Sequence, residues 1–197
     1  MENKQRHELD FWKWLYTEKD NYLEFRKQDA KEKMKYFKDL VDRDGIGVDV
    51  GCGLISLFHG TENRVIALDP LMEGYNQILR HEEDNIKYLE ASGEDIPFPD
   101  NYFDYAFCVN AIDHTPNPKK MADEIKRVVK DGGKIYFEVN FDDDLSPCHY
   151  SLWNEDKVKE MFGDLKCIFE RKDRNDKDKQ YLYHAIYENK CINPNIQ

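Results

Sequence analysis

The sequence lacks three features that mark particular classes of protein: a long apolar run, a close pair of cysteines and an excess of basic residues. Because no apolar run approaches about 18 residues, we expect no transmembrane helix. The scattered cysteines do not match the short spacings of zinc and redox motifs, so free thiols and no metal site are predicted. With no amino-terminal signal segment in view, these features predict a cytoplasmic protein.

Basic residues are outnumbered, and the formal net charge is −11. A strongly acidic chain does not favour broad contact with a phosphate backbone, and no long basic stripe offsets this charge. We therefore expect neither a nucleic-acid partner nor a membrane partner. The 197 residues, 40% of them hydrophobic, suit one domain with at most a small appendage.

The first part of the chain differs from the rest. Residues 7–40 are rich in lysine, glutamate and aromatic side chains and contain no glycine or proline, which favours helix. Apolar residues recur there at helical spacing, as at Leu9, Trp12 and Tyr16. Two or three amphipathic helices are predicted. We divide the chain into a helical lid segment (1–44), a main domain (45–190) and a tail (191–197).

After Gly45 the pattern changes to short apolar runs separated by helix-like segments. These runs are "IGVDV", "RVIALD", "IKYLEA", "FDYAFCVN" and "GKIYFEVN". Such an alternation predicts an α/β domain with a parallel sheet covered on both faces. The best helix is 118–130, with Asn117 as its cap. Two further strand-like runs, separated by the charged loop "DRNDKDK", predict an antiparallel hairpin at the end.

The stretch "VDVGCG" joins the first predicted strand to a glycine turn, and Leu54 and Ile55 are expected to start a short helix. A turn of this kind exposes backbone N–H groups, and its small residues let a ligand approach. The next strand ends in Asp69, placed to accept hydrogen bonds from ribose hydroxyls. Two cofactors fit this pair: a nicotinamide dinucleotide and an adenosyl sulfonium. The third glycine of dinucleotide turns is missing at Ile55, which favours the sulfonium.

The sequence resembles the class I S-adenosylmethionine-dependent methyltransferases, particularly the type 11 subgroup. The resemblance spans roughly 48–140 and is most specific in "ASGEDIPFPDNYFDYAFCVNAIDHTPNPKKMADEIKRVVKDGGKIYFEV". It implies a Rossmann-like three-layer sandwich with a mostly parallel seven-stranded sheet, an antiparallel carboxy-terminal hairpin and an amino-terminal helical lid. It also implies S-adenosyl-L-methionine as the cofactor.

The resemblance further assigns roles to residues. One group of residues would lie near the methionine part of the cofactor and a second group near its adenine ring, while Asp69 would bind the ribose. The methionine group is Asp49, Gly51, Cys52, Gly53 and Asn110. The adenine group is Pro70, Leu71, Ser92, Gly93 and Glu94. The family often has an aspartate where Ser92 stands.

Two histidines are candidates for proton transfer. His114 follows the fourth strand and His149 follows the fifth, which is the side where this fold binds ligands. A histidine titrates near neutral pH and can take a proton from a hydroxyl. The alternative role of His114 is packing or capping before the helix that follows. The acidic run "FDDDL" at 141–145 is interpreted as a surface loop rather than as a metal or cation site.

We therefore expect a methyltransferase acting on a small molecule, such as a hydroxyl of a sugar or another metabolite. The strand end "VNAI" does not match the "NPPY" motif of amino-methylating DNA enzymes. Two alternatives stay open at this point. One is a noncatalytic S-adenosylmethionine-binding or partner module, and the other is a nicotinamide-dependent oxidoreductase.

Overall fold

The computed structural model describes residues 3–37, 44–142, 145–175 and 180–191. Within these ranges, no helix combines the length and the apolar character needed to cross a membrane. A third helical segment is predicted at the end of the lid, and the part of this prediction that follows Phe37 lies outside the described ranges. Most of the predicted tail, from 192 onward, also lies outside them.

A seven-stranded sheet organises the chain, with strand order β3-β2-β1-β4-β5-β7-β6. The strands are β1 (Ile46–Val50), β2 (Arg64–Asp69), β3 (Ile86–Glu90), β4 (Phe103–Val109), β5 (Val129–Phe141), β6 (Leu165–Asn175) and β7 (Gln180–Cys191). Neighbours among β1 to β5 are parallel, whereas β7 runs antiparallel to both β5 and β6. The predicted fold class is therefore confirmed, including the terminal hairpin.

Five α-helices are described: α1 (Asn3–Glu18), α2 (Tyr22–Phe37), α3 (Met72–Tyr75), α4 (Pro118–Val128) and α5 (Glu155–Phe162). Asn117 caps α4 as predicted, because its side chain accepts a hydrogen bond from Lys120 N at 3.1 Å. The helix ends two residues before the predicted 130, since Val129 is already extended and begins β5.

Two apolar cores cover the two faces of the sheet, because alternate residues of each strand point to opposite sides. One core joins the sheet to α4 and α5. The other joins it to α1, α2, α3 and the segment after β1, with Leu9 and Met34 among its buried members. Helix α1 comes so close to α3 that a Cβ added at Gly74 would lie 2.7 Å from Leu9 Cδ2. The amino-terminal helices are thus packed on the domain, on the face opposite α4.

The prediction of a short helix starting at Leu54 and Ile55 is wrong. Turns connect β1 to β2, and both side chains are buried in the second core. The buried Asp49 carboxylate explains the difference, because its Oδ2 accepts hydrogen bonds from Leu57 N at 3.1 Å and Ser56 Oγ at 2.6 Å. A side chain therefore takes the donor that a helix would use.

Candidate functional site

A cavity of about 870 Å³ lies at the carboxyl ends of β1, β2 and β4 and extends under α1. The strand order reverses between β1 and β4, and ligands of open α/β sheets bind at such a switch point. All thirteen predicted site residues line this cavity. They are Asp49, Gly51, Cys52, Gly53, Asp69, Pro70, Leu71, Ser92, Gly93, Glu94, Asn110, His114 and His149. Their shared location is geometry, and their roles stay predictions.

Backbone hydrogen bonds hold the glycine turn, and Gly51 is required there for two separate reasons. Gly51 N and Cys52 N both donate to Leu68 O, at 2.8 and 3.0 Å. Gly51 has a φ of +73°, and a Cβ there would lie 2.3 Å from Ala111 Cβ. Gly53 also has a positive φ, of +64°. The first glycine therefore meets both a conformational and a steric requirement.

Asp69 ties this turn to the end of β2. Its Oδ2 accepts a hydrogen bond from Gly53 N at 3.0 Å, and its Oδ1 accepts one from Leu71 N at 2.9 Å. Burial raises the pKa of Asp69 to about 7, although both backbone donors act in the opposite direction. A carboxylate has about four acceptor positions, so two stay available for a ligand.

Asp49 lines the same cavity from inside β1. It is 2% exposed, and burial raises its pKa to about 6 against the hydrogen bonds from Ser56 and Leu57. In this structure its carboxylate shapes the segment that follows the glycine turn.

The predicted adenine segment follows β3. A Cβ at Gly93 would lie 2.9 Å from both Met121 Cε and Val50 Cγ1, so the backbone passes close to the core. Glu94 Oε1 accepts hydrogen bonds from Asn117 N at 3.0 Å and from the Thr115 hydroxyl. Glu94 thus anchors the loop that leads into α4.

Asn110 closes β4 in an unusual conformation, with a φ of +47°. Its backbone N–H donates to Glu138 O at 2.9 Å, and its Nδ2 donates to Glu138 Oε1 at 3.3 Å. Asn110 lines the cavity, and its amide oxygen, Oδ1, is a buried acceptor without a donor in the described part of the chain.

Glu138 does not line the cavity, but it bonds to Asn110, which does, and the sequence patterns did not single it out. It is 1% exposed and lies among Asn110, Tyr136, His184 and Lys33. Burial would raise its pKa, but the hydrogen bond to His184 and the charge of Lys33 outweigh burial and lower it. The available signal was a glutamate within the apolar strand "YFEVN".

His114 and His149 lie side by side, with ring centroids 4.6 Å apart. His114 Nδ1 is 2.9 Å from Glu8 Oε2 on α1, and His149 Nε2 is 3.4 Å from Asp113 Oδ2. Burial would lower the pKa of His114, but the hydrogen bond and charge of Glu8 raise it overall. The structure brings the two predicted histidines together and adds Glu8 and Asp113, which the sequence reasoning did not select for this site.

The lid segment contributes further side chains to the wall. Phe11 and Trp12 of α1 line the cavity, as do Arg26 and Lys33 of α2. Arg26 lies over the Trp12 ring, with its Cζ 5.2 Å from the ring centroid. Both amino-terminal helices therefore belong to the walls of the cavity.

The chain can now be compared with known proteins. Residues 48–137 match the family model of a methyltransferase domain. A demethylmenaquinone methyltransferase of Geobacillus sp. is 28% identical over 135 residues, which are 61% of this chain and 56% of that protein. A sterol 24-C-methyltransferase of Gibberella zeae is 32% identical over 95 residues, which are 44% of this chain and 25% of that protein. The chain thus spans about half of one relative and a quarter of the other.

The fold has close counterparts among solved structures. One is a 1,6-didemethyltoxoflavin-N1-methyltransferase of Burkholderia thailandensis, solved with 1,6-didemethyltoxoflavin and S-adenosylhomocysteine. It superposes with a TM-score of 0.67 at 12% identity, covering 96% of this chain and 92% of that one. At that identity the likeness shows the fold. Residues 48–137 thus match a methyltransferase-domain model, and the fold is that of a solved methyltransferase; both findings agree with the resemblance seen in the sequence.

Proposed function

We propose that this protein transfers a methyl group from S-adenosylmethionine to a hydroxyl of a small molecule, such as a sugar or another metabolite. One observation carries the proposal: the glycine turn and Asp69 share a single cavity with the histidine pair, and α1 covers that cavity. A covered cavity of about 870 Å³ suits a cofactor with a small acceptor. The net charge of −11 adds no attraction for a nucleic-acid acceptor.

The cofactor would lie along the edge formed by β1, β2 and β4. Asp69 accepts hydrogen bonds from the ribose hydroxyls, using the acceptor positions that its two backbone donors leave. The Asn110 Oδ1 atom receives the ammonium group of the methionine part, which gives this buried oxygen a partner. The adenine ring lies near Leu71 and Gly93. The buried carboxyl groups of Asp49 and Asp69 in the cavity wall favour binding of the positively charged sulfonium.

Methyl transfer is an in-line displacement, so positioning supplies much of the rate. The acceptor oxygen forms a bond to the methyl carbon while the carbon–sulfur bond breaks and its electron pair stays on sulfur. The products are the methyl ether and S-adenosylhomocysteine. The hydroxyl proton passes to an imidazole nitrogen of His114 or His149.

The first test is calorimetric titration with S-adenosylmethionine, S-adenosylhomocysteine and NAD in parallel. We expect the two sulfur compounds to bind and NAD not to bind. Asp69→Ala should weaken S-adenosylhomocysteine binding by more than about tenfold, since the ribose hydroxyls lose a charged acceptor. Glu90→Ala is the matched control, because Glu90 is the register partner of Asp69 on β3 but lies outside the cavity.

Unchanged affinity in a folded Asp69→Ala protein would contradict the ribose assignment. Turnover is tested separately, with radiolabelled S-adenosylmethionine and a panel of hydroxylated small molecules. Cofactor binding without transfer to any acceptor would favour the noncatalytic binding module instead.

A further inference from the structure

Asp113, His114 and His149 form a compact cluster, and the two histidines line the cavity. Each offers one ligand atom, and these atoms all lie within 4.8 Å of one another. Asp113 is only 2% exposed, and its Oδ1 has no hydrogen-bond partner among the described residues. A buried carboxylate oxygen without a donor is costly, which indicates that a positive ligand completes this site.

The orientation of the two imidazole rings points the same way. Both Nε2 atoms face Asp113: that of His149 is 3.4 Å from Oδ2, and that of His114 is 4.0 Å from Oδ1. Each Nδ1 atom faces a second carboxylate. That of His114 lies 2.9 Å from Glu8 Oε2, and that of His149 lies 3.5 Å from Asp142 Oδ2. Histidine ligands of metal ions commonly have this arrangement, with one nitrogen on the metal and the other donating to an outer carboxylate.

We propose that Asp113, His114 and His149 bind a divalent transition-metal ion of the zinc class. Two imidazole nitrogens and one carboxylate oxygen suit zinc or cobalt better than magnesium or calcium, which prefer oxygen ligands. Ligands at about 2.1 Å around a tetrahedral ion lie about 3.4 Å apart. His149 Nε2 and Asp113 Oδ2 already have this separation, and the atoms that lie up to 4.8 Å apart would move closer when the ion binds. Three protein ligands leave a position open toward the cavity.

The open position gives the ion a role beyond structure. An acceptor hydroxyl bound to it would be fixed in place, and its pKa would fall. This consequence rests on the proposed methyl transfer, whereas ion binding itself does not. An imidazole nitrogen that binds an ion has no lone pair left for a proton, so the histidines would accept the hydroxyl proton only in the metal-free protein. In the metal-bound protein the lowered pKa would let the bound hydroxyl release its proton to solvent water. Glu8 also links the site to α1.

The test is titration of the chelator-treated full chain with Co²⁺, followed by visible absorption, and then competition with Zn²⁺. We expect one Co²⁺ per chain, an absorption spectrum typical of nitrogen and oxygen ligands, and displacement by Zn²⁺. His149→Ala and Asp113→Asn should each weaken Co²⁺ binding by more than about tenfold, since each loses a ligand. Circular dichroism verifies that each variant folds. If Asp113→Asn does not fold because Asp113 is buried, His149→Ala still tests the site, since His149 is partly exposed.

His59→Ala is the matched control. His59 also pairs with a carboxylate, that of Glu83, but neither residue lines the cavity. Unchanged Co²⁺ binding in His59→Ala with loss in His149→Ala supports the site. An absent Co²⁺ spectrum, or a spectrum retained in His149→Ala, overturns it. S-adenosylhomocysteine titration of the metal-free protein reports on the proposed function independently, so each idea fails by its own measurement.

Discussion

At the scale of single residues, Asp49 shows how burial disfavours the charged form of a carboxyl group. Its pKa of about 6 lies above the ordinary value of 3.8 because of burial. The folded chain therefore binds this proton more tightly than the unfolded chain does. The resulting contribution to stability is complete below about pH 4 and is lost as the pH rises through about 6.

We expect Asp49→Asn to raise the free energy of unfolding at pH 8 by roughly 1–3 kcal/mol and to flatten its decline between about pH 4 and 7. The amide oxygen can still accept from Ser56 Oγ and Leu57 N, while the buried charge is removed. Urea denaturation at pH 5 and pH 8 measures both effects. Asp104→Asn is a contrasting control: its Lys130 partner lowers the Asp104 pKa despite the effect of burial, so that substitution should destabilise the fold at pH 8.

Gly51 offers a second test at this scale. We expect Gly51→Ala to destabilise the chain and to abolish cofactor binding, because the new Cβ would lie 2.3 Å from Ala111 Cβ. Gly132→Ala is matched in backbone conformation, with a φ of +77°, but its Cβ meets no described atom within 4 Å. The left-handed conformation alone costs about 1–2 kcal/mol. Equal losses of stability in the two variants would show that the steric contact at Ala111 has no weight.

At the scale of secondary-structure elements, an ion pair joins helix α2 to the sheet in addition to its apolar packing. Lys33 Nζ lies 3.3 Å from the buried Glu138 Oε1, and Glu138 in turn orients Asn110. Because Asn110 lines the cavity, the docking of α2 and the geometry of this part of the cavity wall depend on the same carboxylate.

We expect Lys33→Met to lower stability by about 1–2 kcal/mol, since Glu138 keeps Tyr136 and His184 as partners but loses its lysine. Residues 3–37 should then be cleaved faster in limited proteolysis, while the sheet stays protected. Lys31→Met is the control, because Lys31 is exposed on the same helix. Equal cleavage of the two variants would mean that apolar packing alone holds α2.

At the scale of the whole molecule, the sequence predicts the sheet well, and the structure assembles contacts that it cannot predict. Strands β1 to β5 were visible because buried parallel strands are nearly continuous apolar runs. The prediction of a helix after β1 is wrong because apolar spacing does not reveal that Leu57 N donates its hydrogen bond to the Asp49 side chain. Glu8 reaches His114 across 106 positions of sequence, so no local pattern marks the pair.

The hydrogen bonds of the glycine turn determine the order in which the site forms. Gly51 N and Cys52 N donate to Leu68 O, and Gly53 N donates to Asp69, so these amides are satisfied only when β2 lies beside β1. The proposed cofactor edge is therefore formed by cooperative folding rather than by ligand binding. Its amide hydrogens should exchange with solvent as slowly as those of the central strands. A cofactor would then meet a surface already in place, losing little conformational entropy of the chain on binding.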